Sequence, residues 1–560
     1  MAETITSRVR GAAATPLATT ARLSRWHYVA ALALGALNTL SFAPTPHGGW
    51  LELAIFAVLY AWLLRTTGWK SAALTGGAFG FGNLVTGVWW LYVSMHHYGE
   101  MAAPLAGAAL ILFSLYLALY PALSAGLWSF CARHAASVAR DDRPFSPTWH
   151  GAFAFASAWA LGEWLRGTVF TGFPWLASGY AQVDGPFSGF AAIGGVYAVG
   201  WVLALAAALV VQSAYAWLSR SRLRASALLP ACVALALVAG GMQLSRVSWT
   251  RPNDAPLSVR ILQGNVKQEM KFDEAGVRAA LDLYERMITA RAADLIVTPE
   301  TAIPLLPQQF PETFARTLRT FADNTGSSLL LGTFGATVTP EGRYTDETNS
   351  FFGVTPNARQ LYRYDKHHLV PFGEFVPLGF HWFVQLMNIP LGDLARGAPV
   401  QKAFTVRHET IDVDICYEDI FGEEIARRLR ETATPAGILV NASNLAWFGD
   451  TIALDQHLQM ARMRTLETGR PLVAATNTGM TAVIDAQGRV TARLQPFTTG
   501  QIETQVQGMT GRTPYITVGN DLVLTASLVL LALGFVFGSR RTRPASQPTT
   551  AARRSQSGKI

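Results

Sequence analysis

The stretch "IDVDICYEDIFGEE", residues 411–424, places a cysteine where an alternating strand ends and an acidic helix begins. Apolar residues alternate with aspartates up to Cys416, which predicts a strand, and a helix is predicted over 419–431. A helix N-terminus lowers the pKa of a nearby thiol, and the thiolate is the nucleophilic form. Cys416 is therefore the first candidate for a reactive residue.

The sequence around this stretch predicts an α/β layered fold. From residue 257 onward, short runs rich in β-formers alternate with helical runs, and the helices are predicted over 274–292, 311–324, 419–431 and 455–468. Several of the strands are nearly all apolar, as expected where helices cover both faces of a sheet.

Two more reactive side chains stand at the ends of predicted strands. Glu300 ends "DLIVTPE", and Lys366 lies in the loop "YRYDKHHLVPFGEF". Functional residues of open α/β sheets collect past the carboxyl ends of strands. A carboxylate can take the thiol proton, and a fixed cation can stabilise the oxyanion of a tetrahedral intermediate. Glu300, Lys366 and Cys416 together predict an acyl-transfer site.

Cys416 has no disulfide partner in its own part of the chain. The other two cysteines, Cys131 and Cys232, fall in or beside long apolar runs. An unpaired thiol outside the membrane is a candidate reactive group.

The rest of the chain predicts a membrane domain. Half of the 560 residues are hydrophobic, 15% are charged and the mean hydropathy is +0.23, which indicates one apolar and one water-exposed part. Eight runs are long enough to span a bilayer as helices; they lie near 26–44, 50–65, 72–94, 103–129, 150–167, 190–218, 226–245 and 522–538.

These runs predict five segments. They are a cytoplasmic tail (1–25), a membrane domain of seven spans (26–246), an extracytoplasmic catalytic domain (247–518), an eighth span (519–538) and a basic, disordered cytoplasmic tail (539–560).

The orientation follows from the basic residues, because short loops rich in Lys and Arg stay in the cytoplasm. The two tails and alternate loops carry eighteen of them, whereas the intervening loops at 44–49, 96–101 and 168–186 carry none. Both termini are therefore predicted to be cytoplasmic. The run near 26–44 is expected to stay as an anchor, since no A-x-A-like cleavage site follows it.

Several other readings are not favoured. The net charge of +8 comes mostly from the predicted cytoplasmic arginines, so it indicates contact with anionic lipid headgroups, not nucleic acid. His367 and His368 have no third ligand at a suitable spacing, so no metal site and no cofactor are predicted. The glycines of "GGAFGFGNLVTG" (76–87) indicate close helix packing, not a phosphate loop.

Segment 257–505 resembles the nitrilase superfamily, whose members carry Glu, Lys and Cys in this chain order. The whole chain is similar to the membrane-integrated branch of that superfamily, the N-acyltransferases of bacterial lipoprotein maturation. The motifs that carry the resemblance are "SFAP" (41–44), "FPWLASGYAQ" (173–182), "QGNV" (263–266), "TPET" (298–301), "YDKHHLVPFGEFVP" (364–377), "CYED" (416–419), "NASNLAWFGD" (441–450), "QHLQMARMRTLETGRP" (456–471) and "ATNTGMTAVID" (475–485).

The resemblance implies an αββα sandwich and a role for individual residues. It makes Glu300 the general base, Lys366 the oxyanion stabiliser and Cys416 the nucleophile. It further implies supporting residues and substrate-binding residues; the former are Glu374, Tyr417 and Glu418, and the latter are Phe272 and Trp447. The chain departs from the common pattern at four positions: Phe272, Leu445, Ala474 and Asn520.

The implied reaction moves a fatty acyl group from a membrane phospholipid, through a thioester on Cys416, to the N-terminal amine of the S-diacylglyceryl-cysteine of an apolipoprotein. The implied setting is a monomer in the bacterial inner membrane, with its catalytic domain in the periplasm. A membrane-tethered amidohydrolase with the same three residues is the alternative within the superfamily. A transporter is the alternative from another class, but ionisable residues are few within the apolar runs.

Overall fold

The computed structural model describes residues 23–134, 147–219, 225–268, 271, 273–377, 379 and 393–540. Phe272 and most of both predicted tails, residues 1–22 and 541–560, lie outside these ranges.

Each of the eight predicted apolar runs forms a helix. The helices are Arg25–Asn38, Gly48–Leu63, Trp69–Gly87, Ala103–His134, Trp149–Thr168, Ala191–Leu218, Ala225–Leu244 and Asp521–Arg540. They pack around one apolar core, and the last helix in the chain lies against Trp149–Thr168 and Ala103–His134.

Within the described residues, three helical stretches are both long and apolar enough to cross a membrane: Ala103–Arg133, Ser188–Leu218 and Ala227–Leu244. Gly48–Leu63 is apolar but has only 16 residues, which at about 1.5 Å per residue falls short of the roughly 30 Å hydrocarbon layer. A membrane protein is thus confirmed at the coarse level, and the count of eight spans stays a prediction.

Two six-stranded sheets form the second part of the molecule. In spatial order the first sheet consists of Gly500–Val506, Leu257–Gln263, Leu295–Val297, Ser328–Val338, Tyr344–Val354 and Tyr362–Asp365, and the second of Val490–Arg493, Ala482–Ile484, Leu472–Thr476, Ile438–Ser443, Glu409–Ile415 and Phe404–Val406. Thr250–Pro252 pairs with Met509–Gly511 at the border with the helical part.

The two sheets pack face to face, with helices on both outer faces. Val259 and Val297 of the first sheet share a buried cluster with Val413 and Val440 of the second. Outside the first sheet lie Glu274–Thr289 and Glu312–Thr325, and outside the second lie Gly422–Glu431 and Ile452–Thr468. This arrangement confirms the expected αββα sandwich.

The helical part and the sandwich share one apolar core. Ile420, Phe421 and Met463 of the sandwich are buried in the same cluster as the membrane helices. Trp90 of the helical part is buried, and its ring centroid lies 4.7 Å from that of Trp175 and 4.4 Å from that of Phe448. The sandwich therefore rests on the helices through a packed apolar face.

Candidate active site

Cys416 lies in a sharp turn between a strand and a helix. Its φ is +54°, in the left-handed region that non-glycine residues rarely adopt, and a 3₁₀ turn runs from Cys416 to Ile420. The α-helix begins at Gly422, three residues later than the predicted start at 419. The Asn441 side chain donates a 3.0 Å hydrogen bond to the Cys416 carbonyl and fixes this turn to the neighbouring strand.

Glu300 follows the short strand Leu295–Val297, and its carboxylate is held at both oxygens. Oε1 accepts a 2.7 Å hydrogen bond from the side-chain amide of Asn349, and Oε2 accepts one of 2.7 Å from the backbone N–H of Asn444. The ammonium of Lys366 lies 3.4 Å from Oε1. Glu300 is thus fixed in place beside a cation.

Lys366 follows the edge strand Tyr362–Asp365 and is 1% exposed. Its ammonium lies 2.9 Å from Glu374 Oε1, and the same carboxylate accepts from the backbone N–H of Val370 at 2.9 Å. Burial alone would lower the pKa of Lys366, but Glu374 and Glu300 outweigh it and raise that pKa above its usual value. Lys366 is therefore a fixed cation between two carboxylates.

Glu418 joins the loop that carries Lys366 to the turn that carries Cys416. Its Oε1 accepts from the backbone N–H of His367 at 2.7 Å and of His368 at 3.1 Å. Its Oε2 accepts from the backbone N–H of Ile415 at 2.7 Å and from the Tyr364 hydroxyl at 3.0 Å. The side chain is fully buried, so its position between the two loops is determined by these four bonds.

The charges around Cys416 hold it as a thiol in the resting site. Burial raises the pKa of Cys416 well above its usual value; Glu300 raises it further, and Lys366 only partly opposes this. The expected lowering by a helix N-terminus is therefore wrong for the resting site, because the helix starts at Gly422 and two carboxylates surround one lysine. The thiolate forms only as its proton leaves for a base.

Of the other predicted site residues, Tyr417 contacts the membrane part directly. Its hydroxyl donates a 2.9 Å hydrogen bond to the carbonyl of Gly172, in the outer loop at 168–186. Trp447 is 41% exposed, and its ring lies 6.1 Å from that of Tyr98, in the helical part. The structure thus brings Glu300, Lys366, Glu374, Cys416, Tyr417 and Glu418 together and places Trp447 at the border of the two parts.

Four residues of the site were not predicted from the sequence. Asn349 bridges Glu300 and Glu374 through one amide nitrogen, at 2.7 and 2.8 Å. The others are Asn444, Lys271 and His457, whose ring forms an ion pair of 3.2 Å with Asp419 and hydrogen-bonds the backbone of Cys416. The "NASN" and "QHLQ" motifs already contained two of them, but a motif alone does not show which side chain points inward.

His367 and His368 both have partners within the protein. The Nδ1 of His367 lies 2.8 Å from the Gly397 carbonyl, and the Nδ1 of His368 lies 2.8 Å from Glu424. Among the described residues no group of three or more His, Cys, Asp or Glu side chains is placed to hold a metal ion.

Two family models match the chain. The apolipoprotein N-acyltransferase N-terminal domain matches residues 34–209, and carbon-nitrogen hydrolase matches residues 258–515. A curated apolipoprotein N-acyltransferase from Ralstonia nicotianae is 49% identical over 91% of this chain and 94% of its own length. The chain belongs to the apolipoprotein N-acyltransferase family.

A second apolipoprotein N-acyltransferase, from Bordetella bronchiseptica, is 41% identical over 93% of this chain and 98% of its own length. Among solved structures, an amidase from Nesterenkonia sp. is 15% identical with a TM-score of 0.36, over 48% of this chain and 96% of its own. As a member of the apolipoprotein N-acyltransferase family the chain is an enzyme of the acyltransferase class, and its long apolar helices make it a membrane protein.

Three of the four departures from the common family pattern lie within the described residues. Leu445 is buried and stands close to Gly479, and Ala474 is buried in the strand Leu472–Thr476. Asn520 immediately precedes the last helix, and its carbonyl accepts from the N–H of Leu524 at 3.1 Å. Within the described residues, no hydrogen bond joins these three side chains to Glu300, Lys366 or Cys416.

Proposed function

We propose that this enzyme transfers a fatty acyl group from a phospholipid to the N-terminal amine of the S-diacylglyceryl-cysteine of an apolipoprotein, through a thioester on Cys416. The observation that carries the proposal is the cluster of buried Glu300 and Lys366 with half-buried Cys416, whose neighbour Tyr417 contacts a loop of the membrane part. Family membership supports the acceptor and the direction of transfer.

In the first half-reaction Glu300 is the general base. It takes the thiol proton of Cys416 as the sulfur attacks the ester carbonyl of the phospholipid. The carbonyl oxygen becomes an oxyanion, and Lys366 stabilises it with a charge that is present before the reaction begins. The C–O bond then breaks, and Glu300 returns the proton to the departing oxygen. The lysophospholipid is released, and the acyl group remains on Cys416 as a thioester.

In the second half-reaction the neutral α-amine of the apolipoprotein attacks the thioester carbonyl. Glu300 takes a proton from the attacking nitrogen, the C–S bond breaks, and the proton passes to the sulfur. The products are the N-acylated lipoprotein and the free thiol. Contacts of two residues hold the base and the cation in place through both steps. They are the hydrogen bonds of Asn349 to Glu300 and Glu374, and the ion pair of Glu374 with Lys366.

Both substrates are anchored in the bilayer, and each buried CH₂ of an acyl chain contributes about 0.8 kcal/mol to that anchoring. A site seated on membrane helices lets the chains stay in lipid while the head groups reach Cys416. We infer that the sandwich is on the periplasmic side and both termini are in the cytoplasm, because among the loops of the predicted membrane domain and the tails, the basic residues lie in the tails and in alternate loops. We also propose that Phe272 and Trp447 contact substrate and that the enzyme works as a monomer.

The proposal is tested by mass spectrometry of the full-length enzyme in detergent after incubation with phospholipid and no amine. A fatty-acyl increment on the peptide that contains Cys416 is expected, and it should disappear when a diacylated lipopeptide is added. The Cys416→Ala variant should remain unmodified.

Glu300→Gln tests the base. It keeps the size and one acceptor oxygen of the side chain but cannot take a proton, so we expect acylation to slow by about 10²- to 10⁴-fold. An acyl group that passes to water at the same rate with or without lipopeptide would favour the amidohydrolase alternative. The absence of any acyl group on Cys416 of the folded wild-type enzyme would contradict the proposal.

A further inference from the structure

A second lysine is buried beside Glu300. Lys271 lies in the loop between the strand Leu257–Gln263 and the helix Glu274–Thr289, and it is 4% exposed. Its ammonium donates to the hydroxyl of Thr301 and lies 3.4 Å from the backbone carbonyl of Glu300. Lys271 therefore contacts neutral oxygens, whereas Lys366 contacts two carboxylates.

The loop that carries Lys271 is fixed to the site. Asn477 forms two bonds with the backbone of Val266, at 2.9 and 2.8 Å, and Gln268 accepts a 2.7 Å bond from the side chain of Asn444. The backbone N–H of Asn444 in turn holds Glu300. The chain just before Lys271 is thus bonded, through Gln268, to Asn444, the residue that also holds Glu300.

The two lysines have opposite electrostatic environments. Burial lowers the pKa of Lys271 to about 8, opposed in part by the carboxylate of Glu300 and by Cys416 when its thiol is ionised; these are the titratable groups that act on Lys271. Asp273, two residues away, caps the helix that follows, by accepting from the N–H of Gly276. A fraction of Lys271 is therefore neutral near physiological pH, as a catalytic base must be, whereas Lys366 remains charged.

The second half-reaction needs such a base. The acceptor enters as an α-ammonium, whose ordinary pKa is about 7.7–8.0, and it must become neutral before it can attack. Forming the amide removes a second proton from the same nitrogen. Glu300 can take only one of the two protons, and it passes that proton to the sulfur.

We propose that Lys271 takes the first proton from the acceptor's α-ammonium, so that Glu300 is left to take the second. In this step the N–H bond of the ammonium breaks, its electron pair stays on nitrogen, and the proton binds the neutral amine of Lys271. After the transfer one proton remains on Lys271 and returns to solvent. The inference rests on the proposed function and adds a catalytic residue to its second half.

Lys271→Arg is the diagnostic variant, because arginine keeps the cation and its donors but does not give up its proton in proteins. We expect acyl-Cys416 to form within about threefold of the wild-type rate, since the first half-reaction involves no ammonium. Discharge by a diacylated lipopeptide at about pH 7 should fall about 100-fold, the usual contribution of a general base. Discharge by hydroxylamine, which is already neutral at that pH, should be unchanged.

Lys271→Met is the second variant and should show the same separation of the two half-reactions. Lys267→Arg is the matched control, because Lys267 is an exposed lysine of the same loop, and both rates should stay at the wild-type level. Wild-type discharge by lipopeptide in Lys271→Arg would overturn the inference, since a fixed cation would then suffice. The inference would also be overturned if discharge by hydroxylamine slowed as much as discharge by lipopeptide. Loss of Cys416 acylation in both Lys271 variants would overturn it as well. If the wild-type enzyme is never acylated, it is the proposed function that fails.

Discussion

At the scale of single residues, Asn349 holds the two carboxylates of the site together. Its amide nitrogen donates to Glu300 and to Glu374 at 2.7 and 2.8 Å. A hydrogen bond to a charged group contributes about 1.5–3 kcal/mol, or roughly a 10- to 100-fold change in rate. We expect Asn349→Leu to slow the formation of acyl-Cys416 by about that factor, as measured by quenched-flow mass spectrometry.

Asn324→Leu is the control for this change, because Asn324 is exposed on the helix Glu312–Thr325. It should leave the acylation rate unaltered. Acylation at the wild-type rate in Asn349→Leu would mean that Lys366 alone positions Glu300.

His457 makes the stability of the turn at Cys416 depend on pH. Burial lowers the pKa of His457, but the adjacent Asp419 and the backbone of Cys416 outweigh it, so the pKa lies above its usual value. A histidine whose pKa is raised by folding contributes stability that is complete below its unfolded pKa of about 6.5 and is lost as pH rises through the folded value. We expect His457→Gln to lower the unfolding midpoint most below about pH 6, and the difference from wild type to narrow as pH rises. A difference that widens with pH would contradict this assignment.

The places of the three predicted site residues in the fold could be derived from the sequence, whereas their roles stay a proposal. Glu300, Lys366 and Cys416 each stand at the end of a strand. Asn349 was not predictable, since it lies within the strand Tyr344–Val354, and its inward direction depends on the pairing with Tyr362–Asp365. Lys271 was missed for a related reason: its burial follows from the fold of a loop, which no residue pattern specifies.

At the scale of elements, the loop at 168–186 of the helical part is hydrogen-bonded to Tyr417, in the turn after Cys416, and to His368. Phe170, Thr171 and Gly172 all have positive φ, and the loop is held by the Tyr417 hydroxyl at Gly172 and by His368 Nε2, 2.9 Å from the Thr171 carbonyl. We expect Tyr417→Phe to raise amide hydrogen exchange across 169–173 by about 2- to 10-fold, the equivalent of one neutral hydrogen bond.

Tyr344→Phe is the matched change, because Tyr344 is 43% exposed at the start of a strand, and exchange at 169–173 should not respond to it. Unchanged exchange in Tyr417→Phe would show that the His368 contact holds the loop by itself.

The strands and helices themselves were predicted well, and their ends less well. The helix predicted over 274–292 runs over Glu274–Thr289, and the one predicted over 455–468 begins at Ile452, where Thr451 caps it. The turn after Cys416 delays the next helix because the chain first closes a 3₁₀ turn around Glu418. Caps and turns depend on tertiary hydrogen bonds, which periodicity does not contain.

At the scale of the whole molecule, a buried ion pair connects the sandwich to the membrane helices. Arg464 and Glu467 are fully buried and lie 3.0 Å apart. Glu467 accepts from the N–H of Val196, just after the break at Gly194 and Gly195 in the helix Ala191–Leu218, and Arg464 donates to the carbonyl of Ile420 at 3.3 Å. The pair therefore links a membrane helix with the turn of the nucleophile.

Glu467→Gln tests this link. It should leave Arg464 buried without its counterion, a change that costs about 3–5 kcal/mol when one partner of a buried pair is removed. Thermal unfolding in detergent at about pH 8.5 is the measurement, because burial raises the pKa of Glu467 to about 7 and the carboxylate is ionised there. Glu274→Gln, in an exposed pair with Arg278, should change the midpoint very little. Equal effects of the two variants would mean that apolar packing alone joins the two parts.

The sequence predicted the overall architecture better than it predicted which helices are long and apolar enough to cross the membrane. Every apolar run became a helix, because runs of this composition can satisfy their backbone only internally. Only three satisfy both length and hydropathy within the described residues, since helices such as Trp149–Thr168 carry buried polar groups that hold the loop at 168–186. Glu163 of that helix, for example, accepts from the N–H of Ser178 at 2.8 Å.

The protonated state of Cys416 also determines which covalent inhibitors can reach it. Simple alkylating agents such as iodoacetamide depend on thiolate, and burial holds the pKa of the Cys416 thiol well above its usual value. In the proposed mechanism the sulfur loses its proton when Glu300 removes it during attack on a carbonyl. We therefore expect the Cys416 sulfur to become reactive when an ester-like carbonyl binds beside Lys366. An effective drug against this enzyme needs an electrophilic carbonyl on a lipid-like tail, and a merely reactive warhead will be consumed by other proteins first.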